Sequence, residues 1–343
     1  MKKFLMSLCI VLALAACKDE NKANEQANTK PVVKIGVILP LSGANSYMGE
    51  QMREGYEFVR EYSRPDVNYQ LIYVDDQQSS SKAAVAAKKL IEVDKVDALL
   101  TGTSQTASVV ADAAEKAKII HLGISSDDRF TQKAYNYTMA PDSVDESVTL
   151  LKYLQEQGYR KIALITANEV FADLVDENMH KLAEQYGMKI VFNEKITPGA
   201  TNDYRLMLRK AVQSEPDIFL LQSWPPEIDI LTKQLLEIAP QAKITSLYSF
   251  FISSSPELYK GRFGLNVGSN NQEFKTAFYQ KYGKKLEQMS ATAYAQLSLM
   301  LDILQNKNNE LNKTVEANDS IFGHLTMDNR SIRYQPIVET IEE

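Results

Sequence analysis

From about residue 33 onward, short apolar runs alternate with longer segments whose apolar residues recur at helical spacing. The run VKIGVIL at residues 33–39 predicts a buried strand, whereas the spacing within residues 80–93 predicts a helix. Strands and helices that alternate at these lengths are typical of parallel sheets with helices on both faces. The pattern therefore predicts an α/β fold.

The alternation runs through the chain twice, with a restart after Pro141. The first series predicts strands at 33–39, 69–74, 98–100, 119–122 and 135–139, and the second predicts strands at 161–166, 189–192, 218–221 and 244–247. A chain of 343 residues is also longer than one hydrophobic core usually serves. Two doubly wound, Rossmann-like lobes with a ligand cleft between them are therefore predicted.

The end of the chain departs from this rhythm. Two further helices are predicted at 272–282 and 290–305. After them, residues 321–327 and 332–340 predict an antiparallel pair of strands, with a turn at Asp328-Asn329-Arg330 between them.

Residues 1–16 have the pattern of a signal peptide, since Lys2 and Lys3 precede an apolar run at residues 4–16. That run makes about 20 Å of helix, which is too short for a bilayer core of about 30 Å. It ends in LAAC, and a leucine three places before Cys17 resembles the lipobox of bacterial lipoproteins. The resemblance implies that Cys17 becomes a lipidated N-terminus. Ordinary Ala-x-Ala cleavage beside a chance cysteine is the alternative.

After Cys17, residues 18–30 are polar and lack apolar periodicity, so residues 17–31 are predicted to be a lipidated cysteine with a flexible tether. The only other cysteine, Cys9, leaves with the signal peptide, so the mature protein can form no internal disulfide. The formal net charge of −6 argues against a nucleic-acid partner, which would need a concentrated basic face. We expect an extracytoplasmic protein of the cell envelope, anchored to a bacterial membrane.

Several segments, taken in order, resemble one family. They are KIGVILPLSGANSYMGEQMREGYEFV, VDDQ at 74–77, ISSDDRFT, ANEVFAD, TPGATNDY and IFGHLTMDNRSIRYQPIVETI. Their order and spacing resemble the type I periplasmic binding proteins of the leucine/isoleucine/valine-binding group, which are the receptors of ABC importers. The resemblance runs from about residue 34 to the end of the chain.

The resemblance implies three crossovers between the lobes. The N-terminal lobe would comprise residues 32–140 plus 249–326, and the C-terminal lobe residues 141–248 plus 327–343. It also implies an ABC permease complex as partner and a small-molecule ligand that is enclosed when the lobes close.

Ligands of open α/β sheets bind beyond the carboxyl ends of the strands, and four loops are candidates here. In the first lobe these are residues 42–49, with Tyr47 projecting, and residues 101–106, which run from a strand into a helix. The hydroxyls and free N–H groups of the second loop suit an anion, unless Thr103 or Ser104 merely caps the helix. The resemblance places a carboxylate at this loop, which contains Ser104 and Gln105, and at Ser125-Ser126.

The second lobe contributes two candidate aromatic residues. Phe171 opens a predicted helix, and Trp224, the only tryptophan in the chain, follows a predicted strand. Both positions are aromatic in the family that the chain resembles, although a hydrophobic plug over the sheet edge is the alternative for Trp224.

The chain departs from the family pattern after the strand at 244–247. Amino-acid-binding relatives usually present a carboxylate there for the ligand's ammonium, but this chain has Tyr248 and Phe250. An enclosed ammonium without a partner would cost several kcal/mol. Either Asp127, Glu169 or Glu227 compensates, or the ligand is not an ordinary α-amino acid. We favour the second interpretation, with a neutral or anionic, partly apolar or planar solute.

Sequence motifs of catalysis are missing, since the chain has no GKS/GKT phosphate loop, no HExxH and no GxSxG. Its three histidines, His121, His180 and His324, lie in separate segments, which gives little support to a metal site. His121 is more typical of a satisfied histidine at the edge of a core. We predict no catalytic residues, no metal and no cofactor.

The sequence therefore predicts a lipid-anchored solute-binding protein of an ABC importer, which captures a small amino-acid-like, amide or other partly apolar solute. The alternative is an envelope lipoprotein of the same fold that regulates peptidoglycan synthases by contact and transports nothing. Lys18, which follows the cysteine, resembles an outer-membrane address in a two-membrane bacterium and would favour that alternative.

Overall fold

The computed structural model describes residues 32–63, 67–253, 255–267, 271–305 and 317–342. The predicted signal peptide, Cys17 and the tether lie outside the described residues. In the part described, no helix has both the length and the apolar character needed to cross a membrane.

Strands and helices alternate as the sequence predicts. The strands are β1 (Val33–Leu39), β2 (Tyr69–Asp75), β3 (Ala98–Thr101), β4 (Ile120–Gly123), β5 (Asn136–Met139), β6 (Lys161–Ala167), β7 (Lys189–Ile196), β8 (Ile218–Gln222), β9 (Ile244–Thr245), β10 (Phe263–Asn266), β11 (Ala317–Ser320), β12 (Gly323–Asp328), β13 (Ser331–Arg333) and β14 (Ile337–Thr340). The helices are α1 (Ser46–Tyr62), α2 (Ser80–Lys89), α3 (Ser104–Ala117), α4 (Ser143–Glu156), α5 (Val170–Leu182), α6 (Arg205–Gln213), α7 (Glu227–Ile238), α8 (Gln272–Tyr282) and α9 (Gln288–Gln305).

The first lobe is built on an eight-stranded sheet in the order β11-β12-β13-β5-β4-β3-β1-β2. From β13 to β2 the neighbouring strands are parallel, and β11, β12 and β13 form the antiparallel edge. β1 lies between β2 and β3 and is buried from Ile35 to Leu39. Burial on both faces explains why residues 35–39 are continuously apolar and do not alternate.

The second lobe is built on the parallel sheet β7-β6-β8-β9. β10 pairs with β14 in an antiparallel ribbon, and Leu247, just after β9, bridges Leu265 of β10. The ribbon thus continues the second sheet. The predicted α/β fold of two lobes is confirmed.

Helices α1 and α9 pack closely on the first sheet. A Cβ at Gly55 would lie 2.1 Å from the backbone oxygen of Ser290, so only glycine permits this approach. Next to it, the ring of Phe58 contacts the rings of Phe274 and Phe278, each with a centroid distance of 5.5 Å. Residues from the two ends of the chain therefore share one core.

The antiparallel pair predicted near the end of the chain is present as β12 and β13, with Thr326 opposite Arg333. Positive φ values of 44° at Asn329 and 67° at Arg330 form the predicted turn between them. The second predicted strand is divided, since β13 joins the first sheet and β14 pairs with β10.

The division of the chain between the lobes stays a prediction at its first boundary, near residue 140. For the other two we propose different positions, near residues 267 and 334, instead of 248/249 and 326/327. The strand pairings support the change, because β10 and β14 continue the second sheet whereas β13 joins the first.

Candidate ligand site

A cavity lies where the carboxyl ends of the two parallel sheets face each other. Its wall is formed by residues after β3, β4, β5, β6, β8 and β9, together with the start of α9 and the segments that connect the lobes. The centre of a water-sized sphere can move through a volume of about 90 Å³ inside the cavity. One water needs about 10–15 Å³ by that measure, so a small solute can be accommodated. The lobes touch beside the cavity, since α3 of the first contacts α5 of the second.

The start of α3 forms one part of the wall. The side chain of Thr103 accepts a hydrogen bond from the backbone N–H of Thr106 at 3.2 Å, so Thr103 caps this helix. Ser104 lies on the wall in the first turn, where N–H groups have no partner within the helix. Gln105 also lines the cavity, but its side-chain nitrogen donates to the backbone oxygen of Gln78 at 3.1 Å. The positive end of α3 therefore faces the cavity with Ser104 beside it.

Ser125 and Ser126, after β4, also lie on the wall. The hydroxyl of Ser125 donates to the backbone oxygen of Asp127 at 2.9 Å and accepts from its N–H at 3.1 Å, which fixes a tight turn. Ser126 donates from its hydroxyl to Oε1 of Glu146, at 3.0 Å. The first of these serines shapes the loop, and the second joins it to α4.

Glu146 is brought to the cavity by α4. The helix begins next to Asp142, which accepts hydrogen bonds from the N–H groups of Val144 and Asp145. One turn further, Glu146 shares its helix face with the buried Leu150 and Leu154, at four-residue spacing. Only 1 % of Glu146 is exposed. An acid thus stands on the apolar face of the helix.

The two carboxylate oxygens of Glu146 have different surroundings. Oε1 accepts hydrogen bonds from the hydroxyls of Ser126 and Tyr248, the latter at 2.7 Å. Oε2 is buried and has no hydrogen-bond partner among the described residues. Burial raises the pKa of Glu146 to about 8, against the two hydrogen bonds that lower it. The carboxyl group is held in place but only half satisfied.

A second carboxylate on the wall belongs to Glu169, at the start of α5. Its Oε2 is also buried without a partner in the described part of the chain. Burial raises the pKa of Glu169 to about 7, and the nearby charges of Glu227 and Asp173 add to the effect.

The other two acids considered as ammonium partners are occupied elsewhere. Asp127 accepts two hydrogen bonds from the guanidinium of Arg129, at 2.7 and 2.6 Å. Glu227 accepts from the backbone N–H of Gly199 at 2.6 Å. Neither belongs to the cavity wall, so Glu169 is the one of the three that does.

Three predicted aromatic residues form a cluster on the second-lobe side of the wall. Phe171 stacks on Trp224 with a centroid distance of 5.7 Å and an interplanar angle of 24°. Tyr248 contacts Phe171 at 5.9 Å. These rings give the solute an apolar surface.

Phe250 and Tyr47 do not belong to the wall. The short 3-10 turn after Tyr248 directs Phe250 into the second lobe's core, where it stacks on Tyr259 at 4.3 Å. The hydroxyl of Tyr47 is buried without a hydrogen-bond partner among the described residues. Burial and the charge of Glu169 raise the pKa of Tyr47.

Besides Glu146, the wall residues that the sequence prediction missed include Val267, Gln288, Met289, Thr292 and Tyr334. A signal for α9 exists, because polar residues recur at four-residue spacing on an otherwise apolar helix at Gln288, Thr292 and Gln296. The last is structural, since its side-chain nitrogen donates to the backbone oxygens of Thr101 and Leu122. Gln288 and Thr292 reach the cavity only because α9 packs against the first sheet, which is a long-range contact.

His121 is a buried core histidine. Its Nε2 lies 2.9 Å from Oγ1 of Thr101, and its Nδ1 lies 2.8 Å from Oδ1 of Asn136. Burial lowers the pKa of His121 to about 4. Among the described residues, no group of three or more His, Cys, Asp and Glu side chains could hold a metal ion.

Solved structures share this architecture. A leucine-binding protein, LivK, from Thermotoga maritima is 19% identical, with a TM-score of 0.82 over 91% of this chain and 96% of its own. A solute-binding protein of an ABC transporter from Rhodopseudomonas palustris, in complex with 3,4-dihydroxybenzoic acid, is 17% identical, with a TM-score of 0.81 over 91% and 93%. LivJ from Streptococcus pneumoniae, in complex with isoleucine, is 18% identical, with a TM-score of 0.79 over 91% and 97%. At sequence identities below 20%, this structural similarity shows that the fold is shared.

No curated protein sequence matches the chain. The family model described as "Periplasmic binding protein" matches residues 32–318, which is most of the chain. The two lobes, the cavity between them and this match agree. The chain belongs to the periplasmic binding protein family.

Proposed function

We propose that this chain is a lipid-anchored, extracytoplasmic solute-binding protein that delivers a small solute to an ABC importer. The observation that carries the proposal is the cavity between the lobes, whose wall contains buried carboxylate oxygens without partners in the described chain. Buried polar groups are normally paired, so a wall of this kind suits a site that a ligand completes.

Lobe closure is the proposed mechanism. Ser104 and Ser125 come from the first sheet's loops, and Phe171, Trp224 and Tyr248 come from the second lobe. A solute that contacts both groups binds the closed form more tightly than the open form. It therefore shifts the population toward closure, by as much as its affinities for the two forms differ.

The structural relatives support a small solute. Their ligands are isoleucine in the Streptococcus pneumoniae protein and 3,4-dihydroxybenzoic acid in the Rhodopseudomonas palustris protein. Both are small carboxylic acids with an apolar part. The hydroxyls and the helix N-terminus on one side of our cavity, with rings on the other, suit that combination.

A library of amino acids, amines, amides, small carboxylates and aromatic compounds tests the proposal by thermal shift. A ligand that binds the native state must raise the melting temperature. The same ligand should change the fluorescence of Trp224, and deletion of the gene should abolish its uptake by cells. If no compound binds and the protein instead co-purifies with a peptidoglycan synthase, the proposal is wrong and the regulatory alternative replaces it.

The lipid anchor has a separate test. Cys17→Ser should move the protein from the membrane fraction to the soluble fraction, with Cys9→Ser as the matched control. Unchanged fractionation of Cys17→Ser would contradict lipidation at this cysteine.

A further inference from the structure

We propose that Gln222 is a positioning residue of the ligand cavity: its buried side chain holds the backbone around Tyr248, and thereby keeps the ring of Tyr248 on the cavity wall. The inference rests on the proposed function and deepens it, because it concerns how a wall residue of the same cavity is kept in place. Gln222 does not itself line the wall and acts only through Tyr248.

The place of Gln222 in its strand is the first argument. It is the last residue of β8, whose sequence IFLLQ is otherwise apolar, and it is fully buried. A buried amide group costs free energy unless its donor and acceptor atoms are paired. A glutamine at this position therefore needs specific partners, whereas a leucine of similar volume would not.

The partners of Gln222 are the second argument, since they lie in the segment that follows β9. Its Oε1 accepts hydrogen bonds from the backbone N–H of Leu247 at 3.0 Å and from the hydroxyl of Ser246 at 3.2 Å. Its Nε2 donates to the hydroxyl oxygen of Ser249 at 3.1 Å. A backbone N–H can only donate, so the contact with Leu247 identifies the oxygen of the amide. The side chain thus holds the chain on both sides of Tyr248.

The backbone of Tyr248 is the third argument. Its φ is 68° and its ψ is −31°, and the N–H of Ser249 donates to the carbonyl oxygen of Leu247 at 2.8 Å. This hydrogen bond closes a three-residue turn around Tyr248. A positive φ is uncommon for a bulky side chain, and a three-residue turn with positive φ is strained. Such a backbone persists only where the surrounding structure holds it, and the bonds from Gln222 supply that restraint.

The restraint determines what faces the cavity. The hydroxyl of Tyr248 lies 2.7 Å from Oε1 of Glu146, and its ring lies 5.9 Å from the ring of Phe171. The sign of φ sets the direction of a side chain relative to the neighbouring peptide groups. A backbone that relaxed to negative φ would therefore carry the ring of Tyr248 away from both contacts.

Hydroxyl-radical footprinting of the ligand-free protein tests the inference, with oxidation assigned to single residues by tandem mass spectrometry. In the wild type, Tyr248 is 6 % exposed and Tyr204, in the core of the same lobe, is 5 % exposed, so both should be protected. Gln222→Leu should raise the oxidation of Tyr248 several-fold, well below the melting temperature, and should leave Tyr204 unchanged. Equal protection of Tyr248 in the wild type and in Gln222→Leu would overturn the inference.

Gln234→Leu is the matched control. Gln234 is another buried glutamine of the second lobe, and its side chain accepts from the N–H of Tyr204 and donates to the backbone oxygen of Asn202, both at 2.7 Å. The same substitution there removes comparable hydrogen bonds but should leave Tyr248 protected. If Gln234→Leu exposes Tyr248 as much as Gln222→Leu does, the effect is a general loosening of the lobe and the inference is wrong.

Melting temperatures of variants at Tyr248 test the restraint even if Gln222→Leu fails to fold. Tyr248→Gly should melt above Tyr248→Ala, because glycine adopts a positive φ without strain. At Tyr137, an equally buried tyrosine inside β5, alanine should instead melt above glycine. If glycine has no advantage over alanine at position 248, the backbone is not held there and the inference is wrong.

Ser249→Ala links this advantage to Gln222, because it removes the partner of Nε2 and keeps the backbone N–H of the turn. In the Ser249→Ala background, the advantage of glycine over alanine at position 248 should shrink, since the backbone can relax. An unchanged advantage would show that the bonds from Gln222 do not maintain the turn.

The footprinting and melting measurements need no ligand, so this inference and the proposed function can fail separately. If the library yields a ligand but Tyr248 stays protected in Gln222→Leu, the positioning role is wrong and the proposed function stands. If Gln222→Leu releases Tyr248 but no compound binds, the proposed function is wrong, and Gln222 is still the residue that holds Tyr248.

Discussion

The two sides of the cavity differ in chemistry. The hydroxyl wall, which we define as Thr103, Ser104, Ser125 and Ser126, comes from loops after β3 and β4 of the first sheet. The acidic–aromatic wall, defined as Glu146, Glu169, Phe171, Trp224 and Tyr248, comes from the second lobe. The first offers hydroxyls and helix N–H groups, and the second offers rings and carboxylates. A solute that satisfies both walls must bridge the lobes, which explains why binding and closure are linked.

The difference also shows how to distinguish a structural polar group from a ligand group. His121, beneath the hydroxyl wall, is as deeply buried as Glu146, but both of its ring nitrogens have partners. Glu146 keeps one oxygen without a partner in the described residues. Burial alone therefore indicates little, and incomplete pairing beside a cavity is the informative feature.

The largest expected effect is a decrease in the unfolding free energy as pH rises, caused by the two glutamates of the acidic–aromatic wall. Burial raises the pKa values of Glu146 and Glu169 to about 8 and about 7, from the ordinary glutamate value of 4.5. The folded state therefore binds the carboxyl protons of Glu146 and Glu169 more tightly than the unfolded state does. Their contribution to the free energy of unfolding is fully present below pH 4.5 and is lost as the pH rises through 7 and 8. A rise of one in the pKa corresponds to about 1.4 kcal/mol of unfolding free energy, so the two glutamates together change this free energy by several kcal/mol.

Denaturant unfolding between pH 6.5 and 8 measures this slope. The range avoids His121, whose lowered pKa gives a slope of opposite sign below pH 6.5. In the ligand-free protein, Glu146→Gln should flatten the pH dependence of the unfolding free energy, whereas Glu156→Gln should leave it unchanged. The same slope in wild type and Glu146→Gln would show that Glu146 is ionised in the ligand-free cavity.

The next effect separates a wall aromatic from a core aromatic. Phe250 is 2 % exposed and packs on Tyr259 outside the cavity wall. Phe250→Ala should lower the unfolding free energy by about 3–5 kcal/mol, because it leaves a cavity in the second lobe's core. Affinity of the folded fraction for the ligand should change little. If Phe250→Ala keeps its stability but loses ligand binding, Phe250 contacts the ligand and is not a core residue.

Trp224→Ala is the complementary change and should weaken ligand binding at least about tenfold. The ring is partly exposed at the cavity and stacks on Phe171, so its removal takes apolar contact from the solute. Calorimetry with the best ligand from the library measures the loss. Unchanged affinity would mean that the ring covers the sheet edge and does not contact the solute.

The smallest effect belongs to the hydroxyl wall. Ser104→Ala removes one hydroxyl beside the N-terminus of α3 and should cost about 0.5–1.5 kcal/mol of binding for a ligand with an anionic group. Thr103→Ala is the informative comparison, since it removes the cap of α3 and should lower stability by about 1 kcal/mol. If Ser104→Ala binds a carboxylate ligand as tightly as the wild type, the hydroxyl makes no contact with it.

Much of the fold was predictable because strands and helices leave local periodic patterns. The two βα series, the late helices and the turn at Asn329 were all predicted from the sequence, and the structure confirms them. The division of residues 332–340 between two sheets was not predictable. Both halves look like strand, and their partners, β5 and β10, lie far away in the chain.

The candidate site shows the same limit. Seven of the nine predicted ligand residues lie on the wall, because loops after parallel strands must gather at one edge of a sheet. Phe250 lies off the wall, since the 3-10 turn after Tyr248 directs its side chain into the core of the second lobe. Glu146 was missed because an acid one turn into a helix looks like a surface residue until its helix face is known to be buried.

The sequence by itself determined the order of elements, the α/β class, the resemblance to periplasmic binding proteins and most of the loops that reach the cavity. These follow from periodicity and from the positions of strand ends, which are local properties. The tertiary structure alone decided which acid faces the cavity and how completely it is paired. Burial and hydrogen-bond partners depend on groups that are distant in the chain, such as Ser126 and Tyr248 around Glu146.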